Sequence, residues 1–266
     1  MLKLAVIGKD VSKSDSPKMH RFILGKLNEG CEYDTVSIPP EEFSSRAENL
    51  FEKYDAFNVT IPFKADIIPF LKETRGDAKK FGAVNTVVTR ERAGYNTDGY
   101  GFLLMLENAG ISVKNKTVLV LGAGGAGRSC IFKLVEAGAK VFAYERNAER
   151  LRLVHQEIGG FTPLESIPNA PFDIIVNCTG IGMHDTEGRS PVGEELLEKC
   201  GAAVDLIYVP KKSEFLRLAE NKGKPIVNGA AMLFYQAYMA DCIYLKRQAN
   251  ASEAKAFFQE YTEVEK

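Results

Sequence analysis

The sequence lacks several features that would define a function by themselves. Its 34 lysines and arginines against 35 aspartates and glutamates leave a formal net charge of -1, without the basic excess typical of nucleic-acid or anionic-membrane binding. No apolar run reaches the ~18 residues of a membrane-spanning helix, and the apolar part of the N-terminus is too short for a signal peptide. We therefore predict a cytoplasmic monomer or homodimer that binds a small molecule, with no nucleic acid and no membrane among its partners.

Cysteine and histidine are too few and too scattered to build a metal site. The cysteines form no CxxC pair, and their odd number argues against a disulfide framework, so the cytosol fits best. They are Cys31, Cys130, Cys178, Cys200 and Cys242. The histidines, His20, His155 and His184, offer no metal-ligating or triad arrangement, and we interpret them as surface or packing residues. We predict no bound metal.

Short apolar runs alternate with amphipathic stretches along the chain, which is typical of an α/β protein with mostly parallel strands. The length of 266 residues favours two lobes. The second lobe, over residues 101–229, contains a G-x-G-x-x-G pattern at 122–127 and is predicted to be a Rossmann-type dinucleotide-binding domain. The first, over residues 1–100, is then predicted to be the substrate-binding and catalytic domain. A helical C-terminal segment over 230–266 is expected to pack back on the first domain and complete it, with the substrate bound between the lobes.

The predicted elements alternate in both parts of the chain. In the first part, we predict strands over residues 3–8, 33–38, 56–61 and 83–88. We predict helices near 17–28, 41–53 and 63–72, the first with Ser16 as N-cap and Pro17 at its first position. The second part opens with a βαβ unit over 116–147 and continues with strands over 172–179, 202–208 and 225–229 and a helix over 213–223.

A glycine pattern marks the start of the second part. Gly122, Gly124 and Gly127 form G-x-G-x-x-G directly after a strand and before a helix, and Glu145 ends the next strand 18 positions after Gly127. Glycines let the backbone approach a pyrophosphate, and the helix N-terminus presents unpaired N–H groups and a partial positive charge to it. The sequence therefore predicts a dinucleotide site.

Polar motifs in the first part lie at the ends of predicted strands or in the loops that follow. They are "SDSP" (14–17), "NVTIPFK" (58–64), "AVNT" (83–86) and "NTDG" (96–99). Each alone has an ordinary interpretation as a helix cap, a strand end or a turn. Because ligands of open α/β sheets bind at the carboxyl ends of strands, the four motifs could converge on one crevice.

Together these motifs resemble a known family. "SxSP", "NVTxPxK", "GAVNT", "YNTDGxG", "GAGGAG", "DxIY" and "GAAMLFYQA" occur here in the order seen in shikimate dehydrogenases, and the resemblance extends over nearly the whole chain. It implies the reversible reduction of 3-dehydroshikimate to shikimate with a nicotinamide cofactor, in the pathway to aromatic amino acids. The chain is therefore interpreted as an oxidoreductase.

The resemblance also assigns residues. Lys64 and Asp98 match the catalytic pair, and an ammonium group can stabilise and protonate the oxygen on which charge develops during hydride transfer. Ser14 and Ser16 resemble the pair that holds the substrate carboxylate. The remaining expected substrate contacts are Thr60, Asn85, Tyr208 and Gln236. The expected cofactor contacts are Gly122, Ala123, Gly124, Gly125, Ala126, Gly127, Glu145, Arg146, Arg150, Leu206 and Gly229.

Two rules disagree about the cofactor. An acidic residue in the position of Glu145 commonly binds the ribose hydroxyl of NAD and repels the additional phosphate of NADP. Arg146 and Arg150 match the arginines with which NADP-preferring relatives hold that phosphate, although those relatives have asparagine where this chain has Glu145. Two cations against one anion favour NADP, with NAD as a possible second cofactor.

The chain departs from the family pattern at Asp15, where many relatives carry a basic residue, and at Gly180, where they carry a serine. In an extended segment, Asp15 would point away from a carboxylate held by the flanking serines. Two alternatives stay open. One is an NAD-preferring quinate/shikimate dehydrogenase, and the other is a non-catalytic dehydrogenase-like module that senses a metabolite.

Overall fold

A computed structural model describes residues 1–264. The chain divides into two compact units, of which the first comprises Met1–Gly101 and the chain from Phe234 onward, and the second comprises Phe102–Leu233. Helices and strands mix in both units, which confirms the predicted α/β class. Glu265 and Lys266, at the end of the predicted C-terminal helical segment, lie outside the described residues.

The elements alternate along the chain. The strands are β1 (Leu2–Gly8), β2 (Cys31–Ser37), β3 (Ala56–Val59), β4 (Glu73–Thr74), β5 (Thr86–Val88), β6 (Ala93–Tyr95), β7 (Thr117–Leu121), β8 (Lys140–Tyr144), β9 (Thr162–Leu164), β10 (Ile174–Asn177), β11 (Ala202–Asp205) and β12 (Ile226–Val227). The helices are α1 (Ser16–Lys26), α2 (Phe43–Lys53), α3 (Ala78–Phe81), α4 (Asp98–Asn108), α5 (Gly125–Glu136), α6 (Ala148–Ile158), α7 (Glu194–Glu198), α8 (Glu214–Asn221), α9 (Ala230–Tyr244) and α10 (Ala251–Val264).

The sheet of the first unit is mixed, with the strand order β2-β1-β3-β5-β6-β4. Strand β1 pairs parallel with β2 and β3, whereas β5 runs antiparallel to both β3 and β6. Asn58 of β3 lies opposite Thr86 of β5, which in turn lies opposite Tyr95 of β6. The segments that follow β3 and β6 and the segment that precedes β5 therefore meet at one edge of the sheet.

The sheet of the second unit is parallel throughout, with the order β9-β8-β7-β10-β11-β12. The chain winds outward from β7 in one direction and then returns to wind outward from β10 in the other. This is the doubly wound Rossmann order, in which ligands bind outside the carboxyl ends of the strands where the winding reverses. The central strands β7, β10 and β11 are almost entirely buried, in agreement with their largely apolar sequence.

An aromatic pair fixes the segment that carries Lys64. The rings of Phe43 and Phe63 are stacked with their centroids 4.1 Å apart, and both side chains are buried in the core of the first unit. Phe63 directly precedes Lys64, and the Lys64 carbonyl accepts a hydrogen bond of 2.8 Å from the Val84 N–H. The backbone on both sides of Lys64 is thus held by buried contacts.

Three local predictions were wrong. The helix predicted over 63–72 is a series of turns with a short 3₁₀ segment, Ile68–Phe70, because Pro69 lacks an N–H group and clashes with a preceding helical turn. Ser16 is the first residue of α1 and not its N-cap, which is Asp15. The strand predicted over 83–88 begins only at Thr86.

Among the helices of residues 1–264, none has the length and apolar character to cross a membrane.

Candidate active site

The predicted catalytic pair is formed in the first unit. Lys64 follows the end of β3, and Asp98 is the first residue of α4, directly after β6. The Lys64 Nζ donates a hydrogen bond of 2.6 Å to the Asp98 Oδ2, and the two side chains are only 15% and 8% exposed. A carboxylate at this distance compensates the ammonium charge in a region with little water.

Asn85 connects this pair to the rest of the predicted substrate residues. Its Nδ2 donates to the Asp98 Oδ1 at 2.7 Å and to the Gln236 Oε1 of α9 at 3.3 Å. Its Oδ1 accepts from the Thr97 N–H at 2.9 Å. Because Asn85 precedes β5, the antiparallel pairing brings it to the edge of the sheet where Asp98 begins its helix. Amide, carboxylate and ammonium groups from distant parts of the chain thus form one polar cluster.

The predicted carboxylate-binding serines lie at the start of α1. The Ser14 Oγ donates to the Ser16 Oγ at 3.1 Å and accepts from the Ser16 N–H at 3.2 Å. The segment is not extended, because Asp15 has helical backbone angles, φ -77° and ψ -8°. The condition under which Asp15 would point away from the serines is therefore not met. Thr60, after β3, is half-buried and is held by a backbone bond of 2.8 Å to Ile7.

The glycine turn of the second unit, Gly122 to Gly127, brings backbone segments close together and is open on one side. Gly122 has φ +94°, a conformation that other residues rarely adopt, and a Cβ on Gly127 would lie 2.2 Å from the Gly122 oxygen. Gly124, Gly125 and Ala126 open α5, whose first N–H groups lack helical partners. A Cβ on Gly124 would meet no atom within 4 Å, so the turn is open on that side. These are the properties of a pyrophosphate-binding turn.

Glu145, just after β8, is tied to the glycine turn. Its Oε2 accepts from the Ala123 N–H and its Oε1 from the Asn147 N–H, each at 3.0 Å, and the Arg150 Nη1 lies 3.6 Å from the Oε2. Burial alone would raise the pKa of Glu145, but the two N–H bonds and the nearby arginines outweigh it and lower the pKa. Its carboxylate is therefore ionised and already bonded within the protein.

The two predicted arginines lie at the same cavity. A cavity of about 710 Å³ is lined by Gly122, Glu145, Arg146, Arg150 and Gly180, among others. Arg146 and Arg150 are exposed. The arrangement offers two guanidinium groups to an anion, while the carboxylate of Glu145, which precedes both arginines in the sequence, accepts hydrogen bonds from backbone N–H groups.

A network at the carboxyl ends of β10 and β11 was missed by sequence reasoning. The Asp205 Oδ1 accepts from the Ile207 N–H and the Asn177 Nδ2, both at 3.0 Å, and its Oδ2 accepts from the Ser213 hydroxyl at 2.5 Å. The Asn177 Oδ1 accepts from the Thr179 N–H and hydroxyl. Asp205 is the aspartate of the "DxIY" motif, and the sequence pattern alone predicted no role for it. Asp205 therefore joins the two loops that follow these strands.

The predicted residues after β11 lie next to this network. A Cβ on Gly229 would lie 2.0 Å from the Leu206 oxygen, and the Gly229 N–H donates to the Ile207 oxygen at 3.1 Å. Tyr208 is half-buried. Gly180 is exposed, and its carbonyl accepts from the Thr186 hydroxyl at 2.9 Å.

The histidines are placed differently from one another. His20 is completely buried, in agreement with the packing alternative, and its Nδ1 lies 2.6 Å from the Asp241 Oδ1. His155 packs edge-on against Phe161. Over residues 1–264, no group of three His, Cys, Asp or Glu side chains could hold a metal ion.

Comparison with known proteins gives consistent matches. The family model for the shikimate dehydrogenase substrate binding domain matches residues 6–87. The curated NADP(+) shikimate dehydrogenase of Caldicellulosiruptor saccharolyticus is 40% identical over 258 residues, covering 92% of each chain. A crystal structure of shikimate 5-dehydrogenase from Thermus thermophilus in complex with NADP(H) and shikimate has a TM-score of 0.86 at 35% identity, covering 98% of this chain and 99% of that chain. Shikimate dehydrogenase 1 from Peptoclostridium difficile has a TM-score of 0.87 at 30% identity, covering 98% of both.

Asp205 makes the stability of the protein depend on pH. Burial raises the pKa of Asp205 to about 6 from an ordinary 3.8, against the opposing effect of its three hydrogen-bond donors. Between these values the folded state binds more protons than the unfolded state, so the free energy of unfolding falls as pH rises, by roughly 3 kcal/mol in total. Urea unfolding followed by circular dichroism between pH 4 and 7 should show that Asp205→Asn removes this fall.

Asp173 provides a control of opposite sign. Hydrogen bonds from the Thr117 N–H and hydroxyl, both 2.8 Å, lower the pKa of Asp173. Asp173→Asn should therefore remove stability that is present above the unfolded pKa and lost as pH falls. Equal pH slopes for Asp205→Asn and the wild type would contradict a raised pKa of Asp205.

Proposed function

We propose that this chain, which belongs to the shikimate dehydrogenase family, catalyses the reversible NADPH-dependent reduction of 3-dehydroshikimate to shikimate in the biosynthesis of aromatic amino acids. The observation that carries the proposal is the Lys64–Asp98 pair, an ammonium and a carboxylate held 2.6 Å apart with little exposure. A module that only binds a metabolite would need no general acid/base, whereas a lysine held beside a carboxylate can serve as one in proton transfer.

The first unit is proposed to bind the substrate and move its proton. In the direction of oxidation, the unprotonated Lys64 amine accepts the proton of the reacting hydroxyl, and in reduction the Lys64 ammonium returns it to the ketone oxygen. Asp98 keeps Lys64 in place and stabilises its charged form. Ser14 and Ser16 are proposed to bind the substrate carboxylate. The proposed contacts to the substrate ring are Thr60, Asn85 and Gln236, and Tyr208 is proposed as a further substrate contact.

The second unit is proposed to bind the cofactor, which takes up or supplies the hydride when it is bound. The turn at Gly122 and Gly127 fits a pyrophosphate, because side chains there would fill the space that the backbone needs. Arg146 and Arg150 are proposed to bind the 2′-phosphate of NADP. Leu206 and Gly229 are proposed as contacts to the rest of the cofactor. The substrate-binding role is thus assigned to residues 1–100 with 230–266, and the cofactor role to 101–229.

Glu145 is proposed not to reject the phosphate. In NAD-dependent relatives of this fold, an acidic residue at this point accepts the ribose hydroxyls. Here both carboxylate oxygens already accept backbone N–H groups, and Arg150 lies beside one of them. The negative charge of Glu145 is thus partly compensated, so it opposes phosphate binding by Arg146 and Arg150 less strongly. We propose the cytosol as the compartment, since all five cysteines are free thiols.

Turnover of shikimate by the purified protein, followed as NADPH absorbance, tests the proposed function directly. We expect turnover with shikimate and NADP, and a higher kcat/KM with NADP than with NAD. Quinate in place of shikimate tests the quinate alternative in the same assay. No turnover with any of the four combinations would refute an enzymatic role and favour a sensor.

Arg146→Ala should lower kcat/KM for NADP by about tenfold to a hundredfold and leave that for NAD within about twofold, because only NADP carries the phosphate. Arg152, which pairs with Glu149 in α6, offers the matched control Arg152→Ala. An Arg146→Ala variant with an unchanged cofactor preference would show that Glu145 and not Arg146 decides it.

Lys64→Ala should lower kcat by roughly two to four orders of magnitude and leave KM for NADP nearly unchanged, which is the usual effect of losing a general acid/base. Asp98→Asn should also reduce kcat severely, because it removes the charge that holds Lys64. Lys53→Ala is the matched control, since Lys53 forms a Lys–Asp pair of 3.4 Å with Asp34 elsewhere in the first unit. Near-normal turnover by folded Lys64→Ala would remove Lys64 from the mechanism.

A further inference from the structure

Two buried polar side chains behind the catalytic pair have no assigned role. Thr86 opens β5 and is 0% exposed, and Asn58 lies opposite it in β3 and is 6% exposed. Both lie beside Asn85, whose side chain contacts Asp98. Buried polar groups of this kind are retained only when hydrogen bonds compensate for the loss of water, so their partners indicate what they hold in place.

Two tyrosine hydroxyls, those of Tyr33 and Tyr244, fix the orientation of the Asn58 side-chain amide. The Tyr33 hydroxyl donates to the Asn58 Oδ1 at 2.7 Å, and the Tyr244 hydroxyl donates to the same oxygen at 3.0 Å. Burial raises the pKa of both tyrosines well above the usual value, so both remain protonated donors. The Asn58 Nδ2 consequently points towards β5, where it donates to the Asn85 carbonyl at 3.2 Å and to the Thr86 Oγ1 at 3.4 Å.

Thr86 in turn orients the Asn85 side chain through a hydrogen bond. Its oxygen accepts from Asn58, so its one hydroxyl hydrogen is free to donate to the Asn85 Oδ1, 2.8 Å away. The Thr97 N–H donates to the same Oδ1 at 2.9 Å. With two donors on its oxygen, the Asn85 amide presents its Nδ2 to the Asp98 Oδ1 at 2.7 Å. The reverse orientation would place an oxygen against the carboxylate.

A buried hydrogen-bonded pair, His20 and Asp241, supports the relay, which is the series of hydrogen bonds from the two phenols through Asn58 and Thr86 to Asn85. The Tyr33 ring is stacked on His20 with centroids 4.6 Å apart, and His20 is bonded to Asp241 of α9 at 2.6 Å. Both members of that pair are 0% exposed. The Tyr33 side chain is therefore held between the buried His20 ring and Asn58, which restricts the orientation of the Asn58 amide.

We propose that Thr86 is a positioning residue of the reaction, which acts through Asn85 to hold Asp98 against Lys64. Asn58 and the two phenols direct the Thr86 hydroxyl towards Asn85, and Thr86, which is 0% exposed, presents no surface to a ligand. The inference rests on the proposed function, because it assigns Thr86 to the same proton-transfer site.

The test compares Thr86→Val, which keeps the shape and removes the hydroxyl, with Thr86→Ser, which keeps the hydroxyl. The matched control is Thr89→Val, because Thr89 is also buried and its hydroxyl donates one bond of 2.6 Å to the Asp55 carbonyl, away from Asn85. We expect kcat for shikimate oxidation to fall about tenfold in Thr86→Val, the usual effect of one such hydrogen bond. KM for NADP should be unchanged, and Thr86→Ser and Thr89→Val should keep kcat within about twofold of the wild type.

Equal kcat in Thr86→Val and Thr89→Val would overturn the inference, and so would a Thr86→Ser variant as slow as Thr86→Val. If Thr86→Val does not fold, Tyr33→Phe and Tyr244→Phe test the other end of the relay. Each alone leaves one donor on Asn58, so kcat should change little, whereas the double variant should lose about tenfold. A double variant that is as active as the singles overturns the inference. A wild type that is inactive with shikimate refutes the proposed function instead.

Discussion

Lys64 and Asp98 bring opposite charges within 2.6 Å of each other where both side chains are largely removed from water. An unpaired ammonium in that position would be costly, and an unpaired carboxylate even more so, because neither is well solvated. The two residues are 34 positions apart in sequence, so the pair exists only if the ends of β3 and β6 meet. The antiparallel strand β5 between them brings this about, and it also places Asn85 at the same edge. The order of β3, β5 and β6 in the first unit thus brings Lys64 and Asp98 together.

The role proposed for the second unit requires its backbone to approach an anion closely. The absence of side chains at Gly122 and Gly127 lets the turn fold tightly against α5. Glu145 then ties the turn to the end of β8 through the Ala123 N–H. From the motif alone, the Glu145 carboxylate would indicate an NAD site. Here it accepts a hydrogen bond from the glycine turn, and the Arg150 guanidinium partly compensates its charge. Local chemistry, and not the residue type alone, decides what a motif position does.

Sequence alone was sufficient where the signal was local or a motif. The βαβ unit and the glycine turn follow from short patterns in their expected contexts, whereas the pairing of Lys64 with Asp98 was implied by the resemblance to shikimate dehydrogenases. The turns after Phe63 were misread as a helix because the apolar spacing was helical, while Pro69 prevented one. The partnership of His20 with Asp241, 221 residues away, leaves no trace in local sequence, and neither does the convergence of Tyr33 and Tyr244 on Asn58. Asp205 lay inside a recognised motif, but its role depends on Asn177 and Ser213, which only tertiary structure brings to it.

Proton transfer by Lys64, as distinct from a fixed positive charge, is most directly tested with Lys64→Arg. Arginine keeps the cation and can pair with Asp98, but its guanidinium does not release a proton near neutral pH. Steady-state oxidation of shikimate with NADP should therefore show a KM for shikimate within about threefold of the wild type and a kcat lower by about a hundredfold or more. A folded Lys64→Arg enzyme with kcat within about twofold of the wild type would show that Lys64 supplies only charge, and would contradict its role as the general acid/base.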